Sequence, residues 1–559
     1  MRLNKLSIFT LTALAWGLAL SGVLASDAGA QEALPGVFGE IIDVRVVNLE
    51  VVVTDKQGLR VSGLTPADFR ILVDGREVPV EFFTEISGGT VTRAQEGATT
   101  AGLPSLTAGE PVGTSYLVYI DDFFSIARDR NEVLDALRED LPLLGPADRM
   151  ALVAFDGKRL EMLSSWSSNS RELERALKEA TRRDAEGLKR LAEFRNFRAD
   201  TAARDPQRLF TTRRSNQLDI EEEYYARRLE EQVRRSVEAA SATLRSFASP
   251  PGRKVMLVLS GGWPFQPVDY VAAGFPDLTF DRTIKGGADL FRELSDTANR
   301  LGYTLYPVDV PGQQVSFTDA EDPGLGVGVT EGASVGVGTG PSFDREQEEH
   351  FALGYLARET GGQALLNAQA LDSLPKVVED TRSYYWLGFT PTWQGDDAVH
   401  EIQVQMASKG LKVRARESFQ DLSRSSEVTM MVESSLLFGN PPSMERLDVS
   451  FGKPERAGRG KVEVPMVVSF QAGQIAVLPY QEGYAAQVEL RIAAVDEDGG
   501  RSEVPVIPLL LTSPQEIPAE QELRYTHSIK LRKGRQDLII SVYDPASGVL
   551  LSALEKVRF

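Results

Sequence analysis

Two aspartates and a serine close an apolar run. YLVYI, residues 116–120, leads into Asp121 and Asp122, and Ser125 follows. Carboxylates at the end of a buried strand are costly unless something pairs with them. Hard oxygen donors of this kind suit Mg²⁺ or Ca²⁺, and two neighbouring carboxylates could serve a metal-assisted hydrolase. A plainer reading gives them structural work: Asp122 or Ser125 caps the following helix, and Asp121 pairs with a nearby base. A third reading turns Asp122 and Phe124 outward, combining charge with apolar contact area for a partner.

The other residues that could do chemistry form no catalytic set. The chain has no Cys, and its three histidines, His350, His400 and His527, fall in separate segments without an HExxH pattern. LVLSGG puts Ser260 at a strand end but lacks the Gly-x-Ser-x-Gly elbow. GYLARETGG reads as a helix with its glycine stop rather than a dinucleotide fingerprint. GLGVGVTEGASVGVGTG lacks the Lys-Ser/Thr ending of a phosphate loop. The chain therefore reads as a binding module rather than an enzyme, with no catalytic residue to name.

The Asp121 loop needs a scaffold, and the pattern around it is α/β. YLVYI, MALVAFD, KVMLVLS and YTLYPVDV are short apolar strands, and helical patterns separate them. That order predicts a largely parallel sheet with helices on both faces over 114–395. Two insertions interrupt it. Residues 171–248 are dense in Arg and Glu and predict long amphipathic helices with i,i+4 ion pairs. Residues 311–345 include the glycine-rich stretch and predict a mobile loop. Ahead of this domain, residues 37–86 predict a small β-rich module with a hairpin turn at Asp74–Gly75. Residues 87–113, rich in Gly, Thr and Pro, read as a linker. Behind it, residues 396–420 predict a β-hairpin turning at Lys409–Gly410, and residues 425–559 a β-sandwich.

A chain of 559 residues suggests about three or four domains. Its formal net charge of −19 argues against non-specific nucleic-acid binding. Residues 1–25 have the basic start, short apolar run and small-residue end of a signal peptide, predicting cleavage after Ala25. No later apolar run is long enough to span a membrane. The expected location is exported, periplasmic or extracellular, and without cysteine the core must hold by packing alone.

From Tyr116 to YTLYPVDV the chain resembles a von Willebrand factor type A domain. More broadly, VVNLEVVVTDKQGLRVSGLTPADFRILVDG, KVMLVLSGG, YYWLGFTP and HEIQVQMASKGLKVRARESF resemble exported, type A-related bacterial proteins over about residues 40–419. The resemblance implies a Rossmann-like central domain between the two β regions. It also implies a divalent-cation adhesion site at the strand ends, whose first loop reads Asp-x-Ser-x-Ser. Asp121 and Ser125 match the first and last positions, and Phe123 stands at the middle one. Where the pattern has a second Asp, the chain has Ser260, Gly261 and Gly262. Ser167 and Ser168 are the nearest hydroxyls for the remaining position. Asp156 and Asp309 are further carboxylates at strand ends. The expectation is an exported module that binds an unidentified protein or cell surface. Its adhesion site is degenerate and binds Mg²⁺ or Ca²⁺ weakly if at all. The alternative is the hydrolase built on Asp121 and Asp122.

Overall fold

The computed structural model describes residues 46–559 apart from 95–107, 205–219, 248–251, 273–282, 312–340, 393, 482, 498–500 and 503. Residues 1–25, read as a signal peptide, and the glycine-rich stretch 324–340 lie outside the described residues.

The first strands are β1 (Val47–Thr54), β2 (Phe69–Val73), β3 (Arg76–Val78), β4 (Phe82–Ser87) and β5 (Thr90–Ala94). Thr65 and Asp68 close the short turn before β2, with the Thr65 N–H donating to the Asp68 carboxylate at 2.8 Å. β2 and β3 form the expected hairpin, and Asp74 and Gly75 both have positive φ, as a two-residue primed turn requires.

The α/β region runs β6 (Thr114–Asp121), α1 (Ala127–Glu139), β7 (Arg149–Phe155), β8 (Leu160–Ser167), α2 (Ser170–Ala180), α3 (Gly187–Arg204), α4 (Ile220–Ser246), β9 (Arg253–Ser260), α5 (Pro267–Val271), α6 (Ala288–Leu301), β10 (Tyr303–Asp309), α7 (Pro341–Glu359) and α8 (Ser373–Thr381). Its sheet has the order β10-β9-β6-β7-β8. β8 is antiparallel to β7 at the edge, and the other pairings are parallel. Every residue of β6 is buried, which explains a run without polar alternation. Val118 and Ile120 pack on one face with Leu134 of α1, Leu177 of α2 and Val377 of α8. Leu117 and Tyr119 pack on the other with Val233 and Val237 of α4, Leu294 of α6 and Leu356 of α7. Within 171–248, α2 thus packs on the first face of the sheet and α4 on the second. Their charges ring the outer side in pairs such as Arg234–Glu238, while every third or fourth apolar residue faces inward.

The remaining elements are β11 (Tyr384–Phe389), β12 (Val399–Met406), β13 (Lys412–Arg414), β14 (Ser418–Gln420) and α9 (Arg424–Phe438), followed by β15 (Asp448–Phe451), β16 (Glu455–Arg456), β17 (Lys461–Gln471), β18 (Leu478–Tyr480), β19 (Gly483–Asp496), β20 (Val506–Ser513), β21 (Glu522–Arg532), β22 (Arg535–Tyr543) and β23 (Leu550–Arg558). Several boundaries differ from the sequence reading: α7 begins at Pro341, inside the loop expected over 311–345, and α9 is a helix at the head of the stretch expected to be a β-sandwich. β11 does not join the parallel sheet but sits at the centre of β13-β1-β11-β4-β5. The hairpin expected over 396–420 is divided, because β13 pairs with β1 while β12 pairs with β2 and β14. The stretch read as a linker contains β5, which pairs with β4. A strand's partner is chosen by which apolar face it completes, and that face can be built from residues hundreds of positions away. Here Val47, Leu49, Phe69, Ile71, Leu387, Phe389 and Ile402 make one core between two sheets.

In the C-terminal region, Val464 and Met466 of β17 face Val488 and Leu490 of β19 and Leu538 and Ile540 of β22, giving two sheets around a shared core. The outer face of β19 and β22 is covered by α9 through Val428, Val432 and Leu436.

Candidate functional site

Asp121 ends β6, Ser260 ends β9 and Asp309 ends β10, so the carboxyl edge of the parallel sheet gathers them. In doubly wound sheets this edge is where ligands usually bind. Here it is closed. Asp121 is fully buried, and its Oδ1 accepts the backbone N–H groups of Phe123 (3.1 Å) and Phe124 (3.3 Å). Its Oδ2 accepts the Trp263 indole N–H at 2.6 Å and the Ser260 hydroxyl at 3.4 Å. Burial pushes the Asp121 carboxyl up to about 7, against the lowering effect of the Trp263 bond.

Asp122 is also fully buried and holds two guanidinium groups, Arg130 Nη1 at 2.5 Å and Arg183 Nε at 2.7 Å. Burial raises its pKa, and the two arginines pull it back. Phe123 and Phe124 pack edge to face beneath the Arg190 guanidinium, which lies 4.4 Å from the Phe123 ring centre. The start of α3 is fastened over the loop by Glu186 N–H to Asp122 O (2.8 Å) and Gly187 N–H to Ser125 O (3.0 Å). Asp122 and Phe124 therefore do not reach outward: Arg130 of α1 and Arg183 of the charged insertion hold Asp122, and Phe124 packs against Phe123. Nor does Asp122 or Ser125 cap α1, whose N-cap is Ile126 without a side-chain bond.

The residues implied for a divalent cation do not suit one. Mg²⁺ and Ca²⁺ need at least six oxygens, usually with room for water. Asp121 spends both oxygens on four protein donors, the Trp263 indole among them, and Phe123 fills the middle position. A side chain at position 261 would put its Cβ 2.4 Å from Phe124 O, so no carboxylate could stand there. Ser125 Oγ is buried without a hydrogen-bond partner among the described residues, yet no free oxygen of Asp121 accompanies it. Ser167 lies opposite Met150 at the other end of the sheet, where it bonds Glu172 at 2.7 Å. Asp156 is exposed and holds the turn through Lys158 and Arg159 N–H. Asp309 accepts Asn367 N–H at 3.0 Å and lies 3.3 Å from His350 Nε2, whose pKa that contact raises.

A different group, Asp396, His400 and Asp421, brings three ligand-type atoms within 4.8 Å of one another. Its members already shape a loop. Asp421 accepts Gln394 and Gly395 N–H, Asp396 accepts Ala398 N–H, and Asp74 holds His400 Nδ1 at 2.7 Å.

The sequence reading passes over Trp263, Arg130 and Arg183. Trp263 carries a usable signal: a buried indole N–H needs an acceptor, and the residue follows the glycine pair at a strand end.

No family profile and no curated protein matches this chain. Among solved structures, the von Willebrand domain of the type V pili tip protein Mfa5 from Porphyromonas gingivalis is similar at 22% identity over 12% of this chain and 26% of that one, with a TM-score of 0.11. Three N-terminal domains of Mfa5 are similar at 8% identity over 89% and 79%, with a TM-score of 0.23. The pilus adhesin SpaC from Lactobacillus rhamnosus GG, in its open conformation, is similar at 8% identity over 88% and 72%, with a TM-score of 0.26. Likeness at these TM-scores bears on neither fold nor function.

Proposed function

We propose that this chain is an exported interaction module, a type A-related domain between two β-sandwich units, which binds a protein or cell-surface partner without a metal ion. The observation that carries this reading is the sheet order β8-β7-β6-β9-β10 with its antiparallel edge strand, helices on both faces and β6 at the switch point. In this reading the Asp121 loop is a degenerate adhesion site converted into a brace. Export rests on residues 1–25. No helix among the described residues is long and apolar enough to cross a membrane. The hydrolase reading needs Asp121 and Asp122 open to substrate, and their enclosure gives it no support.

The test immobilises the mature chain, beginning at Ser26, and passes envelope proteins of the producing cells over it with and without EDTA. Saturable retention that free chain competes away, unchanged by EDTA, is the expected result. Retention without such competition overturns the binding role. Retention lost in EDTA overturns the metal-independent reading.

A further inference from the structure

At the amino end of the parallel sheet, opposite Asp121, β9 and β10 meet β1 and β11 across a cavity of about 410 Å³. That volume falls in the range of small-molecule sites. Its wall is rich in cations: Lys254, Arg300 and Arg416 line it, and Glu50 is the carboxylate among them. Glu50 is already committed, because its Oε2 lies 2.8 Å from Arg253 Nε and accepts from Thr304 Oγ1 at 3.3 Å. Among the described lining residues, positive charges therefore outnumber negative ones.

Hydrogen-bonding capacity is left over as well. Arg416 donates to the carbonyls of Asn299 and Asn48, the latter at 2.6 Å, but its Nε is buried with no hydrogen-bond partner among the described residues. The same holds for Trp386 Nε1 and for Asn48 Oδ1, both from residues lining the cavity. Buried donors without acceptors are rare and call for an explanation. Burial pushes the Lys254 ammonium down to about 8, partly offset by Glu50, with the nearby Arg416 charge lowering it further. Burial also brings Arg416 down to about 10. Both shifts show that burial disfavours these charges, so an anion seated beside them would favour their protonated forms.

We propose that this cavity binds a small organic oxyanion, whose charged group faces Lys254 and Arg416 and accepts from Trp386 Nε1, and whose hydroxyl meets Asn48 Oδ1. Arg416 supplies direction, Lys254 supplies a point charge, and the indole supplies a neutral donor. The site is independent of the Asp121 edge and of the proposed surface partner.

The test titrates the full mature chain with inorganic phosphate, succinate and malate by calorimetry, following the change in tryptophan emission in parallel. Saturable binding of an organic acid with a Kd below about 1 mM is expected, weakening as salt rises. Malate binds more tightly than succinate if its hydroxyl reaches Asn48. Binding at pH 8 takes up a fraction of a proton, because Lys254 recovers its charge, and this appears as a dependence of the heat on the buffer. Lys254→Met keeps the apolar stem and lowers affinity by about tenfold or more, whereas the exposed Lys556→Gln leaves it unchanged. Arg416→Gln should act likewise; because Arg416 ties three elements together, circular dichroism must first show an unchanged fold. Absence of saturable binding by either organic acid overturns the proposal, as does undiminished affinity in Lys254→Met. Binding of phosphate alone shows an inorganic-ion site and overturns the organic ligand.

Discussion

At the scale of the residue, the adjacent aspartates differ in what surrounds them. Burial raises the Asp121 carboxyl to about 7, and the neutral N–H donors it meets lower it only in part. Asp122 meets two arginines. Removing one member of a buried ion pair leaves the other charged and unpaired, at a cost of about 3–5 kcal/mol. Asp122→Ala should lower stability by that amount, since Arg130 is wholly buried. Urea unfolding followed by circular dichroism measures it, and an unchanged midpoint would contradict the role assigned to Asp122 as a structural brace.

At the scale of the element, the close approach of loops at the carboxyl edge depends on bare backbone. A Cβ on Gly261 would lie 2.4 Å from Phe124 O and 2.5 Å from Ser125 Cα, both main-chain atoms that cannot swing aside. Gly261→Ala is expected to destabilise by about 1–3 kcal/mol through overpacking. Gly354 lies within α7, and a Cβ there meets nothing within 4 Å. Gly354→Ala should therefore stabilise by about 0.5–1 kcal/mol, since glycine in a helix interior costs that much relative to alanine. Thermal unfolding of the two variants side by side separates the effects, and an unchanged or raised Tm for Gly261→Ala would show that the edge can relax.

At the scale of the whole molecule, Asp380 of α8 joins three regions. Its carboxylate accepts from Arg414 of β13 at 2.6 Å and from Tyr306 of β10 at 2.5 Å, and it pairs with Arg60 from the loop after β1. Burial alone would raise this carboxyl, but the Arg414 and Arg253 charges and the bonds from Arg414 and Tyr306 bring it down to about 2. An unfolded aspartate titrates near about 3.9. The stabilisation is therefore fully present above about pH 4 and is lost as pH falls through about 2, amounting to about 2 kcal/mol. Asp380→Asn should be less stable than the wild type at neutral pH, and the gap should close between about pH 4 and pH 2. A gap that stays constant across that range in urea titrations would remove Asp380 as an ionised junction.

The elements carried by local pattern were legible in the sequence. YLVYI, MALVAFD and KVMLVLS announced buried strands, and Asp74–Gly75 announced a primed turn, because burial and φ preference act over a few residues. α9 was within reach too: Val428, Val432 and Leu436 repeat at helical spacing, and Ser423 caps the helix ahead of the Gly439 stop. The aspartates were recognisable as groups that need partners, but the partners were not. Trp263 meets Asp121 from 142 positions away and Arg183 meets Asp122 from 61. β11 pairs with β1, and Arg414 with Asp380, by the same long-range closure. Periodicity shows which face of an element is apolar. Which distant face covers it depends on the packing of the whole chain, and that packing decided that the Asp121 edge is sealed while the opposite end of the sheet holds the open, positively charged cavity.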